Sequence, residues 1–125
     1  MTTTPDLSGR RALVTGAAHR TGRALALALA RAGADVAVHY GSSQAEAESA
    51  AAEIEALGRR ALPFSADLTD AAATASAFAA AIETLGGLDV LVNNVGTIVW
   101  KPLDALSPED WQTCLGGTLY ATLHA

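Results

Sequence analysis

Residues 11–22 read Arg11-Ala12-Leu13-Val14-Thr15-Gly16-Ala17-Ala18-His19-Arg20-Thr21-Gly22. The run Arg11–Thr15 predicts a strand, Gly16 a tight turn, and Thr21–Ala32 a helix that folds back along the strand. A strand that enters a helix through a glycine turn brings free backbone N–H groups and the positive end of the helix dipole to one point. A phosphate binds at such a point. Gly16 permits the turn, and Gly22 lets the helix start lie close to the strand and to a pyrophosphate. Two glycines at this spacing are common by themselves. Their place between a strand and a helix, inside a βαβ unit, turns them into a dinucleotide-binding expectation.

Strands and helices alternate outward from this point. Gly33 stops the first helix, whose inner face is expected at Leu25, Ala28, Leu29 and Ala32. Asp35–His39 is the second strand. Ser43-Gln44-Ala45-Glu46 fits a capping box and opens a helix with the stripe Ala47, Ala50, Ile54 and Leu57, ended by Gly58. Arg60–Ser65 is the third strand, and Pro63 favours an outer position for it. Asp70–Leu85 is the third helix, with Phe78, Ile82 and Leu85 facing inward, and Gly86-Gly87 ends it. Leu88–Val92 is the fourth strand, apolar enough for burial on both faces. A loop follows to Leu106. Ser107-Pro108-Glu109-Asp110 then caps a last helix that runs on to Ala125. Right-handed crossovers between parallel strands give a doubly wound α/β sheet of Rossmann type in the half-order 3-2-1-4. Residues 1–9 form a polar tail and residues 10–125 one nucleotide-binding half-domain.

Composition narrows the function. Half of the 125 residues are hydrophobic and 17% are charged, which supports a packed core. The 29 alanines reflect helix propensity and carry no functional message. A net charge of −5 and scattered basic residues exclude a nucleic-acid footprint. A single cysteine, Cys114, excludes a disulfide framework and a cysteine metal site. His19, His39 and His124 lack metal-ligand spacing, and they, Trp100 and Trp111 are expected to serve packing. No apolar run reaches membrane-spanning length, and the polar start lacks a hydrophobic signal segment, so the cytoplasm is the expected compartment.

These residues resemble the short-chain dehydrogenase/reductase family. Thr15-Gly16 with Gly22 is similar to its Thr-Gly-x3-Gly-x-Gly coenzyme motif. Asp67-Leu68 sits where the family places its adenine contact, and Asn93-Asn94-Val95-Gly96 resembles its Asn-Asn-Ala-Gly signature. Trp111 holds the family's place early in the following helix. The resemblance covers nearly the whole chain but only the N-terminal half of the family's catalytic domain. It implies coenzyme contacts at Thr15, Gly16, Ala18, Arg20, Thr21, Gly22, Tyr40, Ser42, Ser43, Asp67, Leu68, Asn93, Val95 and Gly96. Arg20 replaces the family's middle glycine, as in the pteridine-reductase-like branch, which His39-Tyr40-Gly41-Ser42-Ser43 also resembles; an oxoacyl-reductase-like branch is the neighbouring match. Val95 replaces an alanine. Thr118 occupies the place of an asparagine that holds a water in the family's proton relay; a hydroxyl holds a water too, without an amide's geometry.

The coenzyme follows from charge. An NAD site needs an acid near the end of the second strand for the ribose hydroxyls. That strand ends here in His39 and Tyr40, followed by Gly41, Ser42 and Ser43, with no carboxylate to repel a 2′-phosphate. Arg20 supplies a cation and Ser42 or Ser43 a hydroxyl donor, which favours NADP over NAD. The bland alternatives are a capping role for Ser43 and a solvated Arg20.

The resemblance further implies reduction of a small carbonyl compound by hydride from a nicotinamide. A tyrosine acts as proton donor, a lysine lowers its pKa, and a serine orients the carbonyl, in a Ser…Tyr-x3-Lys set. Tyr40 is followed four residues on by Gln44, and Tyr120 by His124, so no residue here takes the donor role. The expected function is therefore the NADP-binding half of an oxidoreductase, inactive alone, with its catalytic half absent or on another chain; the expected protein partner is a complementing chain or a further copy in a homo-oligomer. Two alternatives stay open: a non-catalytic NADP-binding module, and a structural relic without ligand.

Overall fold

The computed structural model describes residues 3–125, so Met1 and Thr2 of the predicted tail lie outside it. Four parallel strands, β1 (Arg11–Val14), β2 (Asp35–Tyr40), β3 (Ala61–Ser65) and β4 (Val90–Val92), form one sheet in the order β3-β2-β1-β4. The predicted order holds. β3 is an outer strand, where the missing N–H of Pro63 leaves no gap in an interior ladder.

Side chains alternate across the sheet and build a core on each face. Val14, Val36 and Val38 pack on one face against α1 (Arg20–Arg31) and α2 (Gln44–Ala56), where Ile54 is completely buried. Leu13 and Ala37 pack on the other face against Phe78 and Leu85 of α3 (Ala71–Leu85) and against Ala121 of a short α5 (Ala121–His124). Burying a side chain such as Ile54 contributes roughly 1.5–3 kcal/mol.

Local chemistry sets the helix ends. Asp70 caps α3 by accepting the Ala73 N–H at 2.9 Å, and Gly86 closes it at φ 91°. Ser107 and Asp110 form a reciprocal capping box on α4 (Pro108–Leu115). The capping box expected at Ser43 does not form: Ser43 precedes α2, but its hydroxyl is bonded to His19 Nε2 at 2.8 Å instead of the helix amides.

Several expected faces move. The buried side of α1 is Gly22, Ala26, Leu27 and Ala30, whereas Leu25 is exposed. Small residues at steps of four let α1 lie close to the sheet, and the larger Leu25 and Leu29 are displaced to its flank. Leu57 lies beyond the end of α2 and is exposed. Strand β4 is shorter than expected and is not buried on both faces: Leu91 is 38% exposed, because β4 has a neighbour only on the β1 side. The last helix is interrupted by a π turn at Gly116–Tyr120 between α4 and α5.

Carboxylates fasten the strand starts. Asp35, at the start of β2, accepts the Arg60 N–H at 3.0 Å and the Arg59 guanidinium at 3.0 and 2.7 Å. Partial burial pushes the Asp35 carboxyl up, but these N–H donors and the nearby positive charge outweigh it and hold the group below its usual value. Asp89, just before β4, accepts the Arg11 N–H at 2.8 Å and its guanidinium at 3.2 Å. Leu7 ties the N-terminal segment to the end of α1 through its N–H to Ala32 O at 2.7 Å. The C-terminal ends of the strands are left for a site. No helix among the described residues is long and apolar enough to cross a membrane.

Asp70→Ala removes the α3 cap and is expected to lower stability by about 1 kcal/mol. Urea unfolding followed by circular dichroism checks this; an unchanged midpoint would mean that the Asp70–Ala73 bond contributes nothing.

Candidate functional site

The site lies at the C-terminal ends of β1 and β4, where the sheet's winding reverses. Open α/β sheets bind ligands at such a switch point. Thr15 organises it. Its side chain is buried, its N–H donates to Val92 O at 3.0 Å, and its hydroxyl accepts the N–H groups of Asn94 at 2.9 Å and Val95 at 3.2 Å. Asn94 returns the contact, with its side-chain amide donating to Thr15 O at 3.1 Å and Gly16 O at 3.3 Å. The turn after β1 and the segment after β4 are thereby locked together.

Gly16 takes φ 62°, in the left-handed region. A Cβ on Gly22 would overlap the Gly16 carbonyl oxygen and lie 2.6 Å from Asn94 Nδ2. Only glycine fits there, which is the close approach that the sequence predicted. Arg20, in the place of a glycine, also adopts a left-handed conformation at φ 48°.

The amides of residues 16–22 divide into two groups. Gly16 donates its N–H to His39 Nδ1 at 3.0 Å, and Ala17 donates to His39 O at 2.9 Å. These two are satisfied internally. The first N–H groups of α1, at Arg20, Thr21 and Gly22, lack intrahelical acceptors by position. His19, the residue before them, places no side-chain cap over them, and the first turn holds no acid. They open on a cleft of ≈ 320 Å³ lined by Gly16, His19, Arg20, Thr21, Gly22, Asn94, Val95 and Gly96. Uncapped amides with the helix dipole behind them suit an anion.

A second cleft of ≈ 470 Å³ shares Gly16 and Val95 with the first and runs towards Ser42, Asp67 and Leu68. Asp67 accepts both the N–H of Thr69, at 3.0 Å, and its hydroxyl, at 2.6 Å. Those bonds hold its carboxyl below the usual range, so it stays an acceptor at neutral pH. Leu68 is buried behind it.

The expected site residues therefore sort by position. Gly16, Arg20, Thr21, Gly22, Ser42, Asp67, Leu68, Val95 and Gly96 line the two clefts. Ser43 reaches the first only through its bond to His19. Thr15 and Ala18 lie buried beneath the turn, and Tyr40 and Asn93 line neither cleft. Thr118 accepts the Thr97 N–H at 3.0 Å and donates to Thr97 O at 3.3 Å, so its hydroxyl is turned onto one backbone residue. Gly117 lets Thr97 pass, since a Cβ there would collide with the Thr97 side chain.

Sequence reasoning missed His19, Asn94 and His39. The signal for Asn94 is its place in Asn93-Asn94-Val95-Gly96, just beyond the end of β4. The signal for His39 was its alternation with Ala37 on an inner strand, which places an imidazole on a buried face beside β3.

The short chain dehydrogenase family matches residues 10–125 of this sequence. An L-rhamnose 1-dehydrogenase (NAD(P)(+)) of Sphingomonas is 47% identical over 72% of this chain and 35% of its own length. A hydroxynaphthalene reductase-like protein of Metarhizium guizhouense is 39% identical over 85% of this chain and 40% of its own. A short chain dehydrogenase from Burkholderia cenocepacia, solved in complex with NADP, superposes with a TM-score of 0.91 at 44% identity, covering 95% of this chain and 49% of that one. The chain thus spans less than half the length of each of these three relatives. Family match, sheet order and cleft geometry agree: the chain belongs to the short-chain dehydrogenase family.

Proposed function

We propose that these 125 residues form the NADP(H)-binding half of a carbonyl oxidoreductase. The observation that carries this reading is the group of uncapped amides at Arg20–Gly22, facing a cleft and set against the Gly16 turn at a distance that only a glycine at 22 allows. The residues present fit a dinucleotide. The α1 amides suit the diphosphate, and the cleft reaching Asp67 and Leu68 suits the adenosine end. When bound, a reduced nicotinamide supplies hydride for a carbonyl carbon.

The choice of NADP rests on charge. Tyr40-Gly41-Ser42-Ser43 offers no carboxylate where an NAD site needs one. Ser42 lines the second cleft, and the exposed Arg20 stands at the mouth of the first. The NADP held by the Burkholderia relative supports the same direction, whereas the Sphingomonas enzyme, named for NAD(P)(+), supports a nicotinamide dinucleotide without choosing between the two.

Proton transfer has no owner within these residues, because neither Tyr40 nor Tyr120 has a lysine four positions on. What the chain does supply is binding and orientation. A second reading, a binding module with no chemistry of its own, is favoured by Thr118, whose hydroxyl is engaged with Thr97. The two readings part on complementation: NADPH oxidation that appears on mixing with a chain bearing Tyr-x3-Lys supports the reductase.

Calorimetric titration is expected to show tighter binding of NADPH than of NADH. Ser42→Glu places a carboxylate beside the ribose and is expected to weaken NADPH by about tenfold while leaving NADH nearly unchanged. Equal losses for both coenzymes would place the 2′-phosphate elsewhere. The chain alone is also expected to leave NADPH absorbance constant with a panel of ketones. Sustained oxidation would refute the absence of a proton donor.

A further inference from the structure

His39 carries a role that the coenzyme motifs do not assign. Its side chain is 2% exposed, walled by Phe64 and Phe78 with ring centroids at 5.5 and 6.4 Å. Nδ1 faces the Gly16 N–H at 3.0 Å and Nε2 faces Ala66 O at 3.0 Å. Both neighbours are backbone groups of fixed polarity. An N–H can only donate, so Nδ1 must be bare; a carbonyl can only accept, so Nε2 must carry the proton. A single tautomer of the neutral ring satisfies both. The carbonyl of the same residue accepts the Ala17 N–H at 2.9 Å. Consecutive amides of the turn after β1 thus both end on His39, and the ring's far side ends on the segment that leads from β3 into Asp67 and Leu68.

We propose that neutral His39 is a positioning residue for coenzyme binding, its bare Nδ1 accepting the Gly16 N–H and so fixing the turn against which the first amides of α1 are set. Protonation removes the acceptor for Gly16 and sets an N–H against an N–H. The turn must then shift, and with it the Gly16 carbonyl that sits against Gly22. No charged group bonds to the ring. On the elements around it, Asp67 is turned to Thr69, Asp70 caps α3, and His124 on α5 is bonded to Leu68 O at 2.7 Å. Burial pushes the ring below its ordinary value of 6.5, and the Ala66 carbonyl pulls it back only in part. Because the folded value lies below the unfolded one, the contribution is complete above about pH 6.5 and is lost as pH falls through the folded value.

Paired substitutions separate positioning from packing. In Asn, Oδ1 stands where imidazole Nδ1 stands, so His39→Asn keeps an acceptor for Gly16 and loses the donor to Ala66. In Gln, Nε2 stands where imidazole Nε2 stands, so His39→Gln keeps that donor and loses the acceptor. The inference rests on the coenzyme reading only for affinity; the Gly16 amide is read without coenzyme. By nitrogen NMR, wild-type Nδ1 is expected to be unprotonated and Nε2 protonated. His39→Asn is expected to leave the Gly16 amide resonance near its wild-type position and NADPH affinity almost intact. His39→Gln is expected to move the resonance and weaken NADPH by about tenfold, because the partly buried Gly16 amide loses its acceptor. In the wild type, acidification is expected to move the Gly16 amide and NADPH affinity along one titration curve, which His39→Asn flattens. Equal behaviour of the Asn and Gln variants, or a pH curve unchanged in the Asn variant, would reduce His39 to packing. Should Gln prevent folding, the wild-type and Asn curves still decide. If NADPH fails to bind at any pH while the Gly16 amide titrates with His39, the coenzyme reading fails and the positioning of the turn stands.

Discussion

The buried hydroxyl of Thr15 is the contact on which the site depends. β1 and β4 are neighbours in space but are separated by three helices in sequence. Main-chain pairing ends where the strands end, and beyond that point something else must set the distance between the two emerging segments. Thr15 does so with a single oxygen that accepts two successive N–H groups, from Asn94 and Val95. A buried amide without an acceptor costs about 1–3 kcal/mol, so those groups hold the threonine rotamer as firmly as it holds them. Asn94 closes the arrangement from the other side through Thr15 O and Gly16 O. Every buried side-chain nitrogen and oxygen among the described residues has a partner, as a site that must stay in one shape requires.

Most of the fold was legible because the order of elements is written in patterns that neighbouring residues determine. Turn glycines, the Asp70 cap and the proline in an outer strand each act within a few residues. The face of α1 was not legible. Leu25, Ala28, Leu29 and Ala32 make the heavier stripe, and hydrophobicity alone selects them. The sheet instead receives Gly22, Ala26, Leu27 and Ala30. That choice is made by distance: a helix that must bring its first turn up to Gly16 needs small side chains at the steps of closest approach, Gly22, Ala26 and Ala30, and Leu27 packs beside them. The π turn at Gly116–Tyr120 was hidden for a related reason, since it forms where Gly117 and Thr118 meet Thr97, twenty residues earlier in the chain.

The candidate site was legible where backbone geometry makes the chemistry and obscure where side chains meet across strands. Gly22 announces itself because no other residue fits, and Gly16 because its left-handed turn would strain any side chain. Ser42 and Asp67 follow from their place after the second and third strands. Ser43 looked like a helix cap, and its hydroxyl went to His19 instead, a residue 24 positions away. His39 looked like a spare histidine. Its part depends on what lies beside it on β1 and beyond β3, and those neighbours are known only once the sheet order is known.

Arg20 shows how these constraints add. A non-glycine residue in the left-handed region costs roughly 1–2 kcal/mol, and such strain persists only where the surroundings impose it. Here they do. Gly16 and Ala17 are tied to His39 on one side, Gly22 is wedged under the Gly16 carbonyl on the other, and the Arg23 N–H is bonded to His19 O. The chain must turn into α1 between anchored ends, and Arg20 is where the turn falls. The residue that bears the strain also carries a cation, in a chain whose net charge is −5. At physiological salt, charges more than about 8 Å apart are largely screened, so an acidic protein holds an anion through near neighbours and not through its overall field. The strain at Arg20 and the crowding at Gly22 thus answer one demand: the free amides of the first turn of α1 must stand at a fixed distance from the ends of β1 and β4, with a positive charge at their edge.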